Sequence, residues 1–295
     1  MVARLIHRYG VADASFPGAR MARMADVGAG CAALFGLRSR PSHPDHDLRA
    51  AAARALRDAA HLESTGEWVD FRRRKGRDDE RLLDLGNLEL AGGGQALADA
   101  TREIARRGAQ PVLLGGTIDD ALVCLQAALE PGAHDAARSL FISPGLEWAE
   151  RVGRMQSLVQ RIALGTHDFV SRADHRAFIA ARGQLLNASA VCDAKLSSLR
   201  AWLEASSHRD APAFVVVDMS SVDMGHAAGA TRDNVGGLDP AEFLAIVGEL
   251  ASNVQLLGAA IVNLAPERDP RGHSERLAAR ALLSLLDSRL HSVAA

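Results

Sequence analysis

The sequence predicts a three-layer α/β/α fold with a mostly parallel central sheet. Strand-like and helical stretches alternate along most of the chain, and the strands are unbroken apolar runs, as in Phe214-Val215-Val216-Val217. A strand with one face in water alternates apolar and polar residues. One covered by helices on both faces does not, and such strands belong to parallel sheets built from crossover units. Hydrophobic residues make up 48% of the 295, enough to fill a large core.

Taken in order, residues 1–80 are the least regular part and read as a divergent N-terminal portion of one domain spanning 1–295. Val27 to Leu37 predicts a first strand with its turn, and Asp47 to Leu62 a helix with Leu48, Ala52 and Leu56 on one face. Gln95 to Arg107 is an amphipathic helix closed by Gly108. Pro111 to Leu114 is a short strand ending in Gly115-Gly116. Asp119 to Leu129 is helical, with Asp119 as the cap. Strands follow at Leu140–Ile142 and Gln160–Leu164, with a helix from about Glu147 between them. Helices follow at Ala173–Ala181 and Ala194–Ala205. After the Phe214–Val217 strand, Asp239-Pro240 opens a helix, with Asp as cap and Pro in the first turn. Val254 to Val262 contains a strand, and Ser274 to Leu290 is the last helix.

Composition excludes several classes of partner. Formal net charge is −2, from 34 basic and 36 acidic residues, so no global field draws nucleic acid or anionic membrane. The run Arg72-Arg73-Arg74-Lys75 is offset at once by Asp78-Asp79-Glu80 and reads as a solvated loop. Lys75 and Lys195 are the only lysines, an arginine bias that together with abundant alanine looks genomic rather than functional. Cys31, Cys124 and Cys192 lie far apart without a CxxC pair, which fits a reducing, cytoplasmic compartment. No stretch has the length of a membrane span, and the N-terminus has no apolar run of signal-peptide length.

In open parallel sheets, ligands sit beyond the carboxyl ends of the strands. Four strand ends carry chemistry here: Gly115-Gly116-Thr117-Ile118-Asp119, Ser143-Pro144-Gly145-Leu146-Glu147, Asp218-Met219-Ser220-Ser221-Val222-Asp223, and Asn263-Leu264-Ala265-Pro266. Upstream stands Asp84-Leu85-Gly86-Asn87, read as a turn. Gly229 and Gly236-Gly237-Leu238 follow Asp223 at fixed distance, and Asp269 and Gly272 follow the last strand.

In this order and spacing the motifs resemble the arginase/agmatinase/formimidoylglutamase (ureohydrolase) family from about residue 84 to 290. That family carries Gly-Gly-Asp-His, Asp-Ala-His-x-Asp, Asp-x-Asp-x-x-Asp-Pro and a closing Glu-Val-x-Pro. The resemblance implies an arginase-like fold and two Mn²⁺ ions that bridge a water, whose hydroxide attacks a guanidinium carbon.

Carried over by position, the ligand set is largely gone. The first histidine falls on Ile118 and the Asp before it on Thr117. Asp-His-Asp falls on Ser143, Gly145 and Glu147, and Asp-x-Asp on Asp218 and Ser220. The substrate-binding acid falls on Asn263. Glu147 and Asp218 are the residual carboxylates, and hard divalent ions need more than these. The family's long substrate loop between Ser143 and Leu164-Gly165-Thr166-His167 is absent, and its later Arg falls on His167.

Other residues carry competing readings. Asp119 and Asp120 substitute for the lost histidine or are acids in a helix's first turn. His167 and His226 are ligands or bases, or ordinary surface or core histidines. Cys124 reads as core. Ser143 and Ser220-Ser221 lack a His/Asp partner at fixed spacing, against a serine-hydrolase reading.

The resulting expectation is a ureohydrolase-fold protein with a dismantled dimanganese site, non-catalytic and acting through binding or as a subunit, with no cofactor. The alternative is an active C–N hydrolase of linear amidines with a rebuilt site holding Mn²⁺ or a single divalent ion. By resemblance the chain forms a homo-oligomer, a trimer or hexamer, and an active relative is a further partner; nucleic acid and membrane are not partners.

Overall fold

The structure is a computed structural model. It describes residues 15–17, 19–38, 44–63, 69–70, 75–76, 81–89, 93–130, 136–166, 169–188, 199–201, 203, 208 and 210–287. Eleven strands appear among them: β1 (Arg20–Met21), β2 (Ala32–Arg38), β3 (Val69–Asp70), β4 (Lys75–Gly76), β5 (Leu82–Glu89), β6 (Gln110–Leu114), β7 (Ala137–Ile142), β8 (Leu158–Thr166), β9 (Gln184–Asn187), β10 (Ala213–Asp218) and β11 (Leu256–Val262). The helices are α1 (Pro44–Glu63), α2 (Gly94–Arg106), α3 (Ile118–Leu129), α4 (Ala149–Gly153), α5 (Arg172–Ala180), α6 (Pro240–Asn253) and α7 (His273–Asp287).

Nine strands form one sheet in the order β1-β5-β2-β6-β11-β10-β7-β8-β9, and every pairing in it is parallel. β3 and β4 form a separate antiparallel pair. The parallel sheet follows from strand composition. Val215 and Val217 of β10 pack into one core cluster with Phe243 and Leu250 of α6 and Leu282 of α7. Phe214 and Val216 pack into a second cluster with Leu97 of α2, Leu122 of α3 and Trp148. Successive residues point to opposite faces, so a run apolar at every position needs a helical layer on each side, and both layers are present.

Several boundaries differ from those predicted. The Asp84–Asn87 segment is not a turn but the middle of β5, bent where its pairing with β2 shifts register. Its polar residues are explained by Arg57 of α1. Arg57 Nε and Nη2 donate to the two Asp84 oxygens at 2.7 and 2.8 Å, and Nη1 donates to Asn87 at 3.0 Å. Both charges are buried, so the pair pins α1 to the sheet from within. The helix expected from Glu147 is shorter and begins at Ala149. Helix α3 is capped by Thr117 rather than Asp119. Asp239 caps α6 as predicted, in a capping box with Glu242. Arg72–Arg74 of the basic run, the acids at 78–80, His167, Cys192 and most of the helix expected at Ala194–Ala205 lie outside the described residues, while Lys75 begins β4. No helix among the described residues is long and apolar enough to cross a membrane.

Chain order reverses at the centre of the sheet. Strand β6 leads through α3 to β7, which lies beyond β11 and β10. The carboxyl ends of these four strands are level: Leu114 pairs with Ile261, Val262 with Asp218, and Val217 with Ile142. The residues that follow them therefore meet at one crevice.

Candidate functional site

Asp218 forms the floor of the crevice. It ends β10 and caps the 3-10 turn Met219–Ser221, with Oδ1 accepting from the Ser220 backbone N–H at 2.9 Å. Oδ2 accepts from the Ser143 hydroxyl at 3.3 Å. The side chain is fully buried, and burial pushes its pKa up to about 6; hydrogen bonds from the Asn263 side chain and the Ser220 backbone pull against this, while the charge of Glu147 adds to it. Asn263 faces Asp218 from the end of β11. Its backbone is left-handed, at φ 60°, a conformation asparagine tolerates, and it is fixed by Asn263 N–H to Gly116 O at 2.9 Å and Thr231 N–H to Asn263 O at 2.9 Å.

Ser143 continues β7 and is buried beside Asp218; its carbonyl accepts from the Thr166 hydroxyl at 3.1 Å. The loop after it is held by Trp148. The indole stacks on Phe141 with ring centroids 3.9 Å apart, meets Phe178 edge-on at 5.8 Å, and donates Nε1–H to Gly145 O at 3.1 Å. Anchored so, the loop turns Glu147 back over its own backbone. A Cβ on Gly145 would lie 2.2 Å from Glu147 Oε2, well inside contact distance. Glu147 Oε1 in turn accepts from Arg232 Nη1 at 2.7 Å.

Arg232 lies on the loop joining β10 to α6, and that loop is tied down along its length. Asp223 accepts from the backbone N–H groups of Gly225 and Gly236, each at 2.8 Å, which hold its carboxyl below the usual range. Asn234 Nδ2 donates to Ser220 O at 2.8 Å. Gly237 lies against Asn234 and the backbone of Ser221 and Asp223, where a Cβ would come within 2.5–2.8 Å. Arg268 pairs with Asp233 and donates to Ala230 O. A cavity of about 240 Å³ opens above Ser220, lined by Gly145, Glu147, Phe169, Arg232 and Asn234 among others. A larger hollow of about 380 Å³ lies at the opposite end of the strands, among Gln126, Leu129, Arg151 and Met155.

The remaining positions singled out in the sequence do not enter the crevice as ligands. Ile118 is buried in the second core cluster. Asp120 accepts from the Thr117 N–H at 2.8 Å and from its hydroxyl at 2.9 Å, completing the α3 capping box. Asp119 is exposed and pairs with Arg151 at 2.6 Å. The side chain of Ser220 is buried, and His226 is exposed. Cys124 is fully buried against the Thr101 hydroxyl, and burial pushes its thiol up to about 12, so it is core and not a nucleophile.

Residues 156–287 match the model of the arginase family. Solved structures extend the likeness to the fold of the whole chain. The formimidoylglutamase of Bacillus subtilis superposes with a TM-score of 0.78 at 19% identity, covering 95% of this chain and 94% of that one. The proclavaminate amidino hydrolase of Streptomyces clavuligerus gives 0.76 at 17% identity, over 94% and 97%. The formiminoglutamase of Trypanosoma cruzi, solved with Mn²⁺, gives 0.71 at 14% identity, over 90% and 97%. At these identities the likeness is one of fold. No curated protein matches the sequence.

The last of these structures corrects one expectation. The reading that no cofactor belongs here does not stand beside an arginase-family fold found with Mn²⁺. Mn²⁺ or a single divalent ion, given above as the alternative, is therefore the cofactor against which the residues must be weighed. For a bridged pair they do not fit. Among the described residues no group of three or more His, Cys, Asp or Glu side chains converges. At the positions assigned by resemblance stand an apolar core residue, two buried hydroxyls, a glycine covered by a neighbour's carboxylate, one buried carboxyl and one ion-paired carboxylate. Two cations side by side need bridging anions, and Ser143 supplies none.

Arg232 was not among the residues singled out in the sequence. Its partner Glu147 lies 85 positions away, so no local spacing reveals the pair. The Thr117 cap, by contrast, was readable as Thr-x-x-Asp ahead of an apolar run.

Proposed function

We propose that this is an arginase-family-fold protein that does not perform two-metal hydrolysis of amidines and acts instead through binding at the crevice, as a regulatory or companion subunit. One observation carries the reading: Glu147 and Asp218, the two carboxylates left at the ligand positions, are engaged with Arg232 and with Ser143, Asn263 and Ser220. The positions Ile118, Ser143, Gly145, Glu147, Asp218 and Ser220 are taken as the family's former ligand sites, and Asn263 as its former substrate-acid site. What such residues can still offer a metal is one weakly held ion, with water completing its shell. The whole chain, 1–295, is taken as one domain, cytoplasmic, and self-associating as a trimer or hexamer or joining an active relative.

A second reading keeps hydrolysis of a linear amidine, because the solved relatives quoted above include amidino hydrolases. One experiment separates the two. The purified protein is loaded with Mn²⁺, its bound metal is counted by elemental analysis, and urea, ammonia or formamide release is measured from guanidino and formimino compounds. The binding reading expects fewer than two ions per chain and no release. Two ions per chain with metal-dependent turnover would sink it.

A further inference from the structure

The residue that meets Glu147 is a guanidinium, and it comes from the chain itself. Arg232 reaches from the β10–α6 loop to Glu147 on the loop after β7, crossing the mouth of the cavity above Ser220. Both ends of this bridge are set. Thr231, just before Arg232, donates its N–H to Asn263 O, and Asp233, just after it, is paired with Arg268. On the other side Glu147 is folded over Gly145 by the Trp148-anchored loop. The bridge is also exposed: the Arg232 side chain is 61% accessible and that of Glu147 30%. Exposed ion pairs are weak, so this one is held in register by the backbone yet opens at little cost.

The groups around it favour a cation. Among the described residues, Glu147, Asp174 and Asp233 line the cavity and Asp218 lies beneath it, against Arg232 as the one basic residue of the lining. Asp233 is already paired with Arg268, and Asp174 accepts from the Ser171 hydroxyl at 2.6 Å. Glu147 is then the acid in the lining whose charged partner is itself a lining residue.

We propose that Arg232 is an internal latch: its guanidinium occupies Glu147 across the mouth of the crevice, and an outside cation reaches Glu147 only when that pair opens. This rests on the reading that the crevice binds rather than hydrolyses. It adds the reason for weak cation binding, namely direct competition by a tethered charge.

The test is titration calorimetry with Mn²⁺ on wild type, Arg232→Ala, Arg232→Lys and the double variant Arg232→Ala/Glu147→Gln. Circular dichroism confirms that each is folded, which an exposed position permits. The latch predicts that Arg232→Ala binds one ion per chain about three- to fivefold more tightly than wild type, the scale of an exposed ion pair. It predicts that Arg232→Lys, which keeps the charge, stays near wild type, and that the double variant loses the gain. Equal affinity of Arg232→Ala and wild type would overturn the latch, as would a gain that survives Glu147→Gln. Failure here leaves the binding reading intact, whereas two bound ions with amidine turnover in wild type removes that reading whatever the variants do.

Discussion

Replacing Asp218 with asparagine tests the electrostatics of the crevice floor without disturbing its shape. The carboxyl is fully buried, and its pKa rises from 3.8 to about 6 in the folded chain. Folded protein therefore keeps a proton that the unfolded chain releases between these values. Stability supplied by this group is complete below pH 3.8, declines as pH rises through the window, and is gone above about pH 6. At 1.36 kcal/mol per unit, the swing is about 3 kcal/mol. Asparagine carries no charge, accepts from the Ser220 N–H through the same oxygen, and can donate to the Ser143 hydroxyl. The Asp218→Asn variant should therefore gain on wild type as pH rises from 4 to 7, by up to about 3 kcal/mol. Urea denaturation of both proteins across that range, with chelator present, measures the difference. Using the difference removes the contributions of Glu275, which burial raises, and of Asp223 and Asp269, which hydrogen bonds lower. A difference that stays flat, or that moves against the variant as pH rises, would refute the reasoning, since it would mean that the crevice favours the ionised carboxylate. That is the behaviour of a site built around a cation.

Removing Arg57 should be far costlier than removing any surface arginine, because it leaves Asp84 buried and unpaired: Arg57→Ala is expected to lose about 3–5 kcal/mol, read from the denaturation midpoint. Thr117→Ala removes the α3 cap and should lose about 1 kcal/mol, while Asp119→Ala, which breaks an exposed pair, should fall within about 0.5 kcal/mol of wild type; thermal melts of the two variants check the contrast. Trp148→Ala should lose about 3–5 kcal/mol through the cavity it leaves between Phe141 and Phe178. By freeing the Gly145 loop it should also weaken the Glu147–Arg232 bridge, seen as tighter Mn²⁺ binding than wild type in the same calorimetric assay.

The sheet was legible wherever burial on both faces forced an apolar run, as in β7, β8, β10 and β11. Strand β5 was not, because its centre carries Asp84, Gly86 and Asn87, residue types that signal a turn. Their partner is Arg57, 27 positions upstream of Asp84, and a polar strand interior becomes sensible only once that guanidinium is placed against it. Strand β9 was missed for the opposite reason: it is four residues long at the sheet edge, with two of them exposed, and little burial stamps a pattern on it. At the crevice, the strand-end motifs marked which residues follow β6, β7, β10 and β11, and level strand ends bring those residues together. What the replacements do there was hidden, because the bond from Ser143 to Asp218 and the bridge from Glu147 to Arg232 join elements 75 and 85 residues apart.

The two carboxylates of the crevice, Asp218 and Glu147, are accommodated in different ways, and the difference follows from depth. Neighbouring acids repel one another unless one is neutral or paired. At the bottom of the crevice Asp218 is fully buried, and burial shifts it toward the neutral form against donors from Asn263 and Ser220. At the mouth Glu147 stays within reach of solvent and takes a guanidinium from the neighbouring loop. Elsewhere in the crevice a core residue, hydroxyls and a glycine carry no charge to balance. The loops keep their course meanwhile, because Asp223, Asn234, Gly237 and Asn263 are held by backbone contacts that need no ion. Loops braced in this way hold their course without an ion, and the charge balance at Glu147 and Asp218 is what separates a binding crevice from a hydrolytic one.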